Sequence, residues 1–335
     1  MDLIKRINRQ SAAGGERIWR VVAGRHFINV AKIILTLAFV YLANRKLNLG
    51  QLSRLWTDFK LFPFAVASVL GAAAIILHIA RWKLLLVYEG FEVSSRVAAK
   101  TFLFGLLLAF ITPGRLGELF RGLEISKKDR ASTFLPVVVD KLFTIAAVFL
   151  FAFGCVLMQA VFFKRLPHAQ FGVLLAIAAV ISLIVLILVA RGTLFSKFLK
   201  RYGPQIKDLS PRLFSSTGKK VGACTLGAHV ALIAQTVVIF RMFGDVGYIE
   251  GILAAGQAYA FLTLMPFFMA NMGIREYSFQ LFIQQFYFAG EMTNITGLAL
   301  NTSILILMLN LIIPASIGLI WSLVPAQGKR KNDAR

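Results

Sequence analysis

Charged residues and cysteines are scarce in this chain of 335 residues, and acidic residues are the scarcest of the charged ones. Only 16% of the residues are charged, whereas soluble domains average about 25%. Apolar residues make up 58% of the sequence. This composition excludes an ordinary soluble enzyme and a disordered chain. The two cysteines, Cys155 and Cys224, lie inside apolar runs and fit neither a disulfide framework nor a metal site.

The shortage of acidic residues leaves the chain strongly basic. Its 37 Lys and Arg residues against 15 Asp and Glu residues give a formal net charge of +22. On a soluble protein this excess would indicate a nucleic-acid partner. Here the basic residues lie between long apolar runs, which indicates membrane topology and attraction to anionic lipid headgroups. We therefore predict an all-α, polytopic integral membrane protein with no nucleic-acid partner.

Catalytic and cofactor-binding motifs are missing from the sequence as well. It contains no His-Glu-x-x-His, Gly-x-Ser-x-Gly, Walker A or Gly-x-Gly-x-x-Gly motif. No cluster of Asp residues at helical spacing could hold the metal ions needed for phosphoryl transfer. We therefore expect neither an enzyme nor a protein that uses a cofactor or a metal.

Eight apolar runs approach or exceed the length of a membrane-spanning helix, about 20 residues. They cover residues 27–43, 62–80, 97–113, 135–161, 170–190, 221–240, 249–270 and 297–323. Each run is predicted to be helical, because a helix satisfies its own backbone polar groups inside the bilayer.

The distribution of Lys and Arg between the runs indicates how they cross the membrane. If all eight runs cross fully, the segments inside contain 17 basic residues and those outside contain 18. If runs 97–113 and 249–270 instead enter and leave at the same face, the counts become 27 inside and 8 outside. We therefore predict six full spans, two re-entrant helical hairpins and two cytoplasmic termini.

This topology divides the chain into three parts. Residues 1–26 form a basic cytoplasmic segment, 27–323 the transmembrane domain, and 324–335 a basic cytoplasmic tail. No small-residue cleavage site follows the first apolar run, so we expect 27–43 to remain as a signal anchor.

The two predicted hairpins resemble each other. Each follows the order span, Arg, apolar run, Pro, Gly, Arg, Glu. Since Pro lacks an N–H and Gly tolerates unusual backbone angles, we predict structural hinges at Pro113, Gly114, Gly117, Pro266 and Gly273. The topology places one hairpin at each face, so the repeat would be inverted, as in many transporters. Coincidence is the alternative, because Gly and Pro are common in membrane helices.

Charged residues near the hairpins are the candidate site. A charge within the membrane costs several kcal/mol unless it is paired or faces a polar cavity. The restarted helices should begin near Glu118 and Glu276, where their free N–H groups favour an anion. The predicted substrate-binding residues are Arg115, Glu118, Arg121, Asp140, Arg275 and Glu276, with Arg81, Lys141 and Asn271 in secondary roles.

A structural role for the same charges is the alternative. The pairs Arg115–Glu118 and Arg275–Glu276 could be internal ion pairs, and Asp140 needs a partner such as Arg115 or Arg121. The single histidines of apolar runs, His78 and His229, are interpreted as hydrogen-bonded packing residues.

Four motifs follow one another along the chain. They are Arg81-Trp82-x-Leu84-Leu85-Leu86 with Gly90, Pro113-Gly114-Arg115-Leu116-Gly117-Glu118-x-x-Arg121, Asp140-Lys141, and Gly273-Ile274-Arg275-Glu276. In this order they resemble the lysylphosphatidylglycerol synthase transmembrane family. The chain departs from the family pattern twice: Lys141 stands in place of Arg, and Asn271 in place of Gly.

The resemblance implies a flippase-like domain that moves or exposes an aminoacylated phospholipid. In the family a separate soluble domain performs the aminoacyl transfer. Because this sequence ends at Arg335, soon after its last apolar run, we expect a stand-alone member without the synthase domain.

The sequence therefore predicts a flippase-like transporter of the cell membrane. We expect it to bind the headgroup of a phospholipid or polyprenyl-phosphate-type lipid and to move it between leaflets. The alternatives are a membrane-embedded lipid-modifying enzyme and a non-catalytic partner of one. The expected partners are membrane lipids with a phosphate-bearing headgroup, together with a possible homo-oligomer or a lipid-synthesising enzyme.

Overall fold

The structure is a computed structural model and describes residues 60–112, 116–125, 130–163, 215–264, 271, 273–287 and 295–323. Apart from Leu323, they all belong to one of the two compact units of the chain, Leu49–Ser322. The predicted runs 27–43 and 170–190 and the two terminal segments lie outside the described residues. All regular secondary structure within the described ranges is helical, which confirms the all-α class.

The helices follow one another in two similar series. The first series is α1 (Leu61–Tyr88), α2 (Ser95–Ile111), a 3₁₀ helix (Leu116–Glu124) and α3 (Arg130–Phe163). The second is α4 (Ser216–Phe243), α5 (Tyr248–Leu264), α6 (Ile274–Gln284), α7 (Ile295–Leu307), a π-helical turn (Met308–Ile312) and α8 (Ile313–Leu323). Helices α1 and α4 have 28 residues each, and α2 and α5 have 17 each. The repeated motif order is thus matched by a repeated order of helix lengths.

Four helical segments are long and apolar enough to cross a membrane. They are Leu61–Tyr88, Pro136–Phe163, Ser216–Phe243 and Ile295–Ser322, each of 28 residues. At about 1.5 Å per residue such a segment is ~42 Å long, more than the ~30 Å hydrocarbon core of a bilayer. These segments overlap four of the six predicted full spans. The protein is therefore a multi-pass membrane protein.

Each of the two 17-residue helices is followed by a shorter helix that folds back along it. In the first half, the backbone N–H of Gly117 donates to Thr112 Oγ1 at 2.7 Å. In the second half, the rings of Phe261 and Phe282 lie 6.2 Å apart, and the N–H of Gly247 donates to the Tyr287 hydroxyl at 3.0 Å. Both elements are therefore helical hairpins, while their entry into the bilayer from one face stays a prediction.

The hinges differ in detail from the prediction. In the first hairpin the returning helix is 3₁₀ rather than α. Gly117 packs so closely against the backbone of Leu108 that a Cβ atom would collide with its carbonyl group. In the second hairpin Asn271 and Gly273 both have positive φ, at 57° and 79°, and α6 begins at the next residue, Ile274. The predicted hinge residues Pro113, Gly114 and Pro266 lie outside the described residues.

Helices α1 and α4 pack side by side in opposite directions. Arg81 Nη1 donates to Thr225 Oγ1 at 3.2 Å near one end of the pair, and Gln235 Nε2 donates to the Ala67 carbonyl at 3.0 Å further along. Position numbers therefore rise along α1 as they fall along α4. The first helices of the two series are antiparallel, as an inverted repeat requires.

Candidate functional site

A cavity of about 350 Å³ lies between the two hairpins and the long helices. Helices α1 to α6, the 3₁₀ helix, α7 and the π-helical turn all contribute to its wall. Its charged and polar lining residues are Arg81, Glu118, Arg121, Asp140, Lys141, Asn271 and Arg275, with His78, Thr144, Thr225, His229, Tyr259, Thr263 and Asn310. The cavity thus brings together predicted charges from both hairpins, Glu118 and Arg121 of the first and Arg275 of the second.

Asp140 joins two arginines at the first hairpin. Its carboxylate is paired with the guanidinium of Arg121 and lies 2.6 Å from Arg81 Nε. All three side chains are at most 3% exposed. The Arg121 guanidinium also lies over the Trp82 ring, 4.1 Å from its centroid, which fixes its plane. One carboxylate between two guanidinium groups leaves this cluster with one positive charge in excess.

Asp140 has one partner that was predicted and one that was not. Arg121 was among the predicted partners and Arg81 was not. Helix α3 begins at Arg130, ten residues before Asp140 and ahead of the predicted run 135–161. The polar residues at the start of α3 hide this first part of the helix from a search for apolar runs.

Glu118 forms an ion pair with Lys141, the residue that follows Asp140 in sequence. The ammonium group of Lys141 donates to its Oε2 atom. Glu118 is 6% exposed, and the Lys141 side chain is 33% exposed, so the pair stands at the edge of the buried cluster. Arg115, the predicted partner of Glu118, lies outside the described residues.

In the second hairpin, a serine hydroxyl group joins Arg275 to Glu276 by hydrogen bonds. Arg275 Nε donates to Ser303 Oγ at 2.7 Å, and Ser303 Oγ donates to Glu276 Oε1. Ser303 belongs to α7 and is fully buried. The sequence-based prediction missed it, because a serine within an apolar run gives little signal. The residues Ile295–Leu323 contain no charged residue, so α7, the π-helical turn and α8 hold no counterpart of Asp140 and Lys141.

Only some of the predicted site residues line the cavity. Arg121 and Arg275, one from each hairpin, both line the cavity, while Glu276 lies behind Arg275 and is joined to it by Ser303. Arg241 lies near the end of the long helix before the second hairpin, as Arg81 lies near the end of the long helix before the first. It is outside the cavity lining, donates to the Val246 carbonyl at 2.7 Å and stacks on Tyr248. The substrate-binding roles of these residues stay predictions.

The two histidines both line the cavity. His229 packs its ring edge-on against Phe151 and Tyr259, with centroids 5.4 and 6.2 Å apart, and His78 stacks on Phe102 at 6.0 Å. Packing is as predicted, but His229 Nε2 has no hydrogen-bond partner among the described residues. His229 is only 7% exposed, so this nitrogen is a buried polar atom at the cavity wall.

Asn310 lies in the π-helical turn and also reaches the cavity. Its Nδ2 atom donates to Gln235 Oε1 at 2.7 Å, and the backbone of α1 at Gly71 leaves room for both amides. π-Helical turns occur often at functional sites, but hydropathy does not reveal them. Within the described part of the chain, no group of three or more His, Cys, Asp or Glu side chains is placed to hold a metal ion.

Long apolar helices, two helical hairpins and a charged interior cavity define a multi-pass helical membrane protein built from two similar halves. A family model described as the lysylphosphatidylglycerol synthase TM region matches residues 29–313. The chain belongs to this family, as the motifs predicted. No curated protein and no solved structure matches the chain.

Proposed function

We propose that this protein is a lipid transporter of the cell membrane, with both termini in the cytoplasm. It binds the phosphate-bearing headgroup of a membrane lipid in the central cavity and moves the lipid between leaflets. One observation supports this proposal above all: Arg121 and Arg275, from two separate hairpins, line the same interior cavity. Burying two guanidinium groups inside a membrane protein is costly, and a function that needs them explains their presence.

The buried guanidinium groups are suited to a phosphate. Arginine presents a planar set of N–H donors that matches phosphate oxygens. Asp140 and the Trp82 ring hold Arg121 in one orientation before any ligand arrives. Ser303 does the same for Arg275 from the opposite half. The carboxylates therefore act as positioning groups, and the arginines contact the ligand.

The two hairpins supply the moving parts of this proposal. A 17-residue helix such as α2 or α5 is about 26 Å long, which is short of a full crossing of the ~30 Å core. In our proposal each hairpin enters from its own face and returns to it. Rocking of the two halves against each other then exposes the cavity to one leaflet and afterwards to the other.

Lipid movement in reconstituted vesicles tests this function. A fluorescent phospholipid is placed in both leaflets, and the fraction reached by an impermeant quencher is followed with time. We expect Glu118→Gln and Arg275→Ala to slow the movement by about tenfold or more, while Arg96→Ala, at an exposed arginine outside the cavity, leaves it unchanged. Folded Glu118→Gln and Arg275→Ala proteins that move lipid at the normal rate would refute the proposal.

The same preparation separates transport from enzymatic action. In our proposal the chain does not alter the lipid, so lipid incubated with the protein in detergent should be recovered unchanged. Formation of a new lipid product in detergent, where there are no leaflets, would favour a lipid-modifying enzyme instead.

A further inference from the structure

The last long helix of each series contacts the hairpin of its own series. In the first series this helix is α3, and in the second it is the segment Ile295–Ser322, which runs through α7, the π-helical turn and α8. Asp140 of α3 pairs with Arg121 of the first hairpin. Ser303 of α7 accepts from Arg275 Nε of the second hairpin at 2.7 Å. In both series a polar contact therefore ties the last long helix to the returning helix of its own hairpin.

Further along, each of these helices packs against the hairpin of the other series. Cys155 of α3 lies so close to Gly256 of α5 that a Cβ atom on this glycine would be 2.6 Å from the Cys155 Sγ atom. Gly318 of α8 lies so close to α2 that a Cβ atom on it would be 2.7 Å from the carbonyl carbon of Leu103. Glycine permits such close approach between membrane helices. Each hairpin is therefore held by one helix from each series.

These contacts occupy equivalent positions in the two series. On both long helices the contact with the other hairpin lies fifteen positions after the polar contact, at Cys155 after Asp140 and at Gly318 after Ser303. On the hairpin side, both contacts fall at the ninth residue of a 17-residue helix. This agreement in register indicates that the crossed packing belongs to the repeat and is shared by both halves.

The part of each long helix between its two contacts faces the cavity. The lining residues of α3 run from Asp140 to Val148, and those of the other helix are Ile306, Asn310 and Leu311. Fifteen residues of helix span ~22 Å, so each helix holds the two hairpins at well separated points. Because a helix in a close-packed interior transmits strain along its length, a displacement at one contact reaches the other.

We infer that α3 and the segment Ile295–Ser322 couple the two hairpins, so that neither hairpin moves without the other. In the transport proposed above, tilting of either helix about its middle moves its two ends in opposite directions, and the hairpins with them. Opening of the cavity at one face is then linked to closing at the other. This consequence rests on the proposed function, whereas the coupling itself rests on the packing alone.

A reversible disulfide at the second hairpin tests the coupling at the first. In a Cys224→Ala protein, Gly256→Cys places a second thiol beside Cys155, and an added oxidant joins the two. Hydrogen exchange of the backbone amides is measured by mass spectrometry in detergent, for the oxidised and the reduced form of this one protein. We expect oxidation to slow exchange about fivefold or more in α2 and the 3₁₀ helix, which the disulfide does not touch. Slower exchange confined to α3 and α5 would overturn the inference.

A substitution at the first hairpin tests the coupling in the other direction. In Gly318→Ala the new methyl group overlaps the backbone of Leu103 and loosens α8 from α2. We expect exchange to become about fivefold or more faster in α5 and α6, at the other hairpin. Gly222→Ala is the matched control, because its methyl group meets open space on α4 and should leave exchange in both hairpins unchanged. Faster exchange in α2 and α8 alone would contradict the coupling.

The outcomes separate this inference from the proposed function. If Gly318→Ala does not fold, the disulfide protein decides. If the folded Gly256→Cys protein forms no disulfide on oxidation, α3 does not hold the second hairpin at Cys155 and the inference fails. Coupled exchange in a protein that moves no lipid would refute the proposed function alone. Lipid movement with exchange effects confined to one hairpin would refute the inference alone.

Discussion

The backbone N–H of Gly247 donates to the hydroxyl of Tyr287 at 3.0 Å, across 40 positions of sequence. The chain therefore returns, after α5 and α6, to the place from which it left. This contact closes the second hairpin at its open end. A re-entrant hairpin has both of its ends at one membrane face. Residues near Gly247 and Tyr287 should therefore be accessible from the same side of the membrane, which can be measured.

Cysteine labelling from one side of the membrane tests the second hairpin. In a protein without Cys155 and Cys224, single cysteines replace Tyr248 and Gln284, which are exposed at the two ends of the hairpin. We expect an impermeant maleimide to reach both from the outer face and neither from the cytoplasmic face. Labelling of the two positions from opposite faces would mean that this element crosses the membrane.

The two ends of the first hairpin should be labelled from the cytoplasmic face. Cysteines in place of Glu92, which is exposed before α2, and Ile125, which follows the 3₁₀ helix, mark its two ends. The positive-inside rule places both on the cytoplasmic side. Both should react with the maleimide only when the cytoplasmic face is accessible. Labelling of both hairpins from the same face would contradict the inverted arrangement.

Removing the carboxylate of Asp140 should destabilise the fold strongly. Asp140→Asn leaves two buried guanidinium groups, those of Arg81 and Arg121, without their charged partner. Breaking a buried pair in this way costs about 3–5 kcal/mol. Thermal unfolding in detergent should show a large loss of stability, whereas Glu92→Gln, the same chemical change at an exposed position, should show almost none. Equal unfolding temperatures for the two variants would contradict a structural role for this cluster.

The hairpins and the long helices could be predicted because each depends on a local property. Apolar runs predicted the four helical segments that are long and apolar enough to cross a membrane. The count of basic residues, together with Pro and Gly, predicted the two elements that fold back. The high cost of a buried carboxylate correctly implied that Asp140 has a cationic partner. Arg121 was predicted as that partner because it is close to Asp140 in sequence.

Contacts between distant helices could not be predicted in this way. A buried charge requires a partner, but the requirement does not say which one, and Arg81 reaches Asp140 only because α1 packs beside α3. Ser303 joins Arg275 and Glu276 although a serine in an apolar run is unremarkable in sequence. The 3₁₀ form of the first returning helix likewise accompanies the close approach of Gly117 to Leu108, which is a tertiary contact.

Replacing Gly117, near the turn of the first hairpin, should lower the stability of the protein. In Gly117→Ala the new methyl group would overlap the backbone carbonyl group of Leu108, which belongs to α2 and cannot rotate away. We expect a loss of about 1–3 kcal/mol of stability, the usual cost of overpacking. Gly154→Ala is the matched control, because its methyl group would meet open space on α3 and a helix favours Ala over Gly by ~1 kcal/mol. Thermal unfolding of the two variants in detergent should therefore differ in sign.

Three glutamines form a closed ring of hydrogen bonds that fastens the second hairpin to α3. Gln257 donates to Gln159 at 2.6 Å, Gln159 to Gln285 at 3.2 Å, and Gln285 to Gln257 at 3.4 Å. Gln257→Leu leaves one acceptor and one donor of its neighbours without their partner. Each unsatisfied buried group costs about 1–3 kcal/mol.

Replacing all three glutamines by leucine should cost less than the sum of the three single replacements. The triple variant leaves no member of the ring unsatisfied, and apolar groups of similar shape can replace a fully paired set at little cost. Thermal unfolding of the three single variants and the triple variant, in the same detergent, measures this difference. Strictly additive losses would mean that each amide acts alone, in which case the ring does not hold α5 and α6 against α3 as one unit.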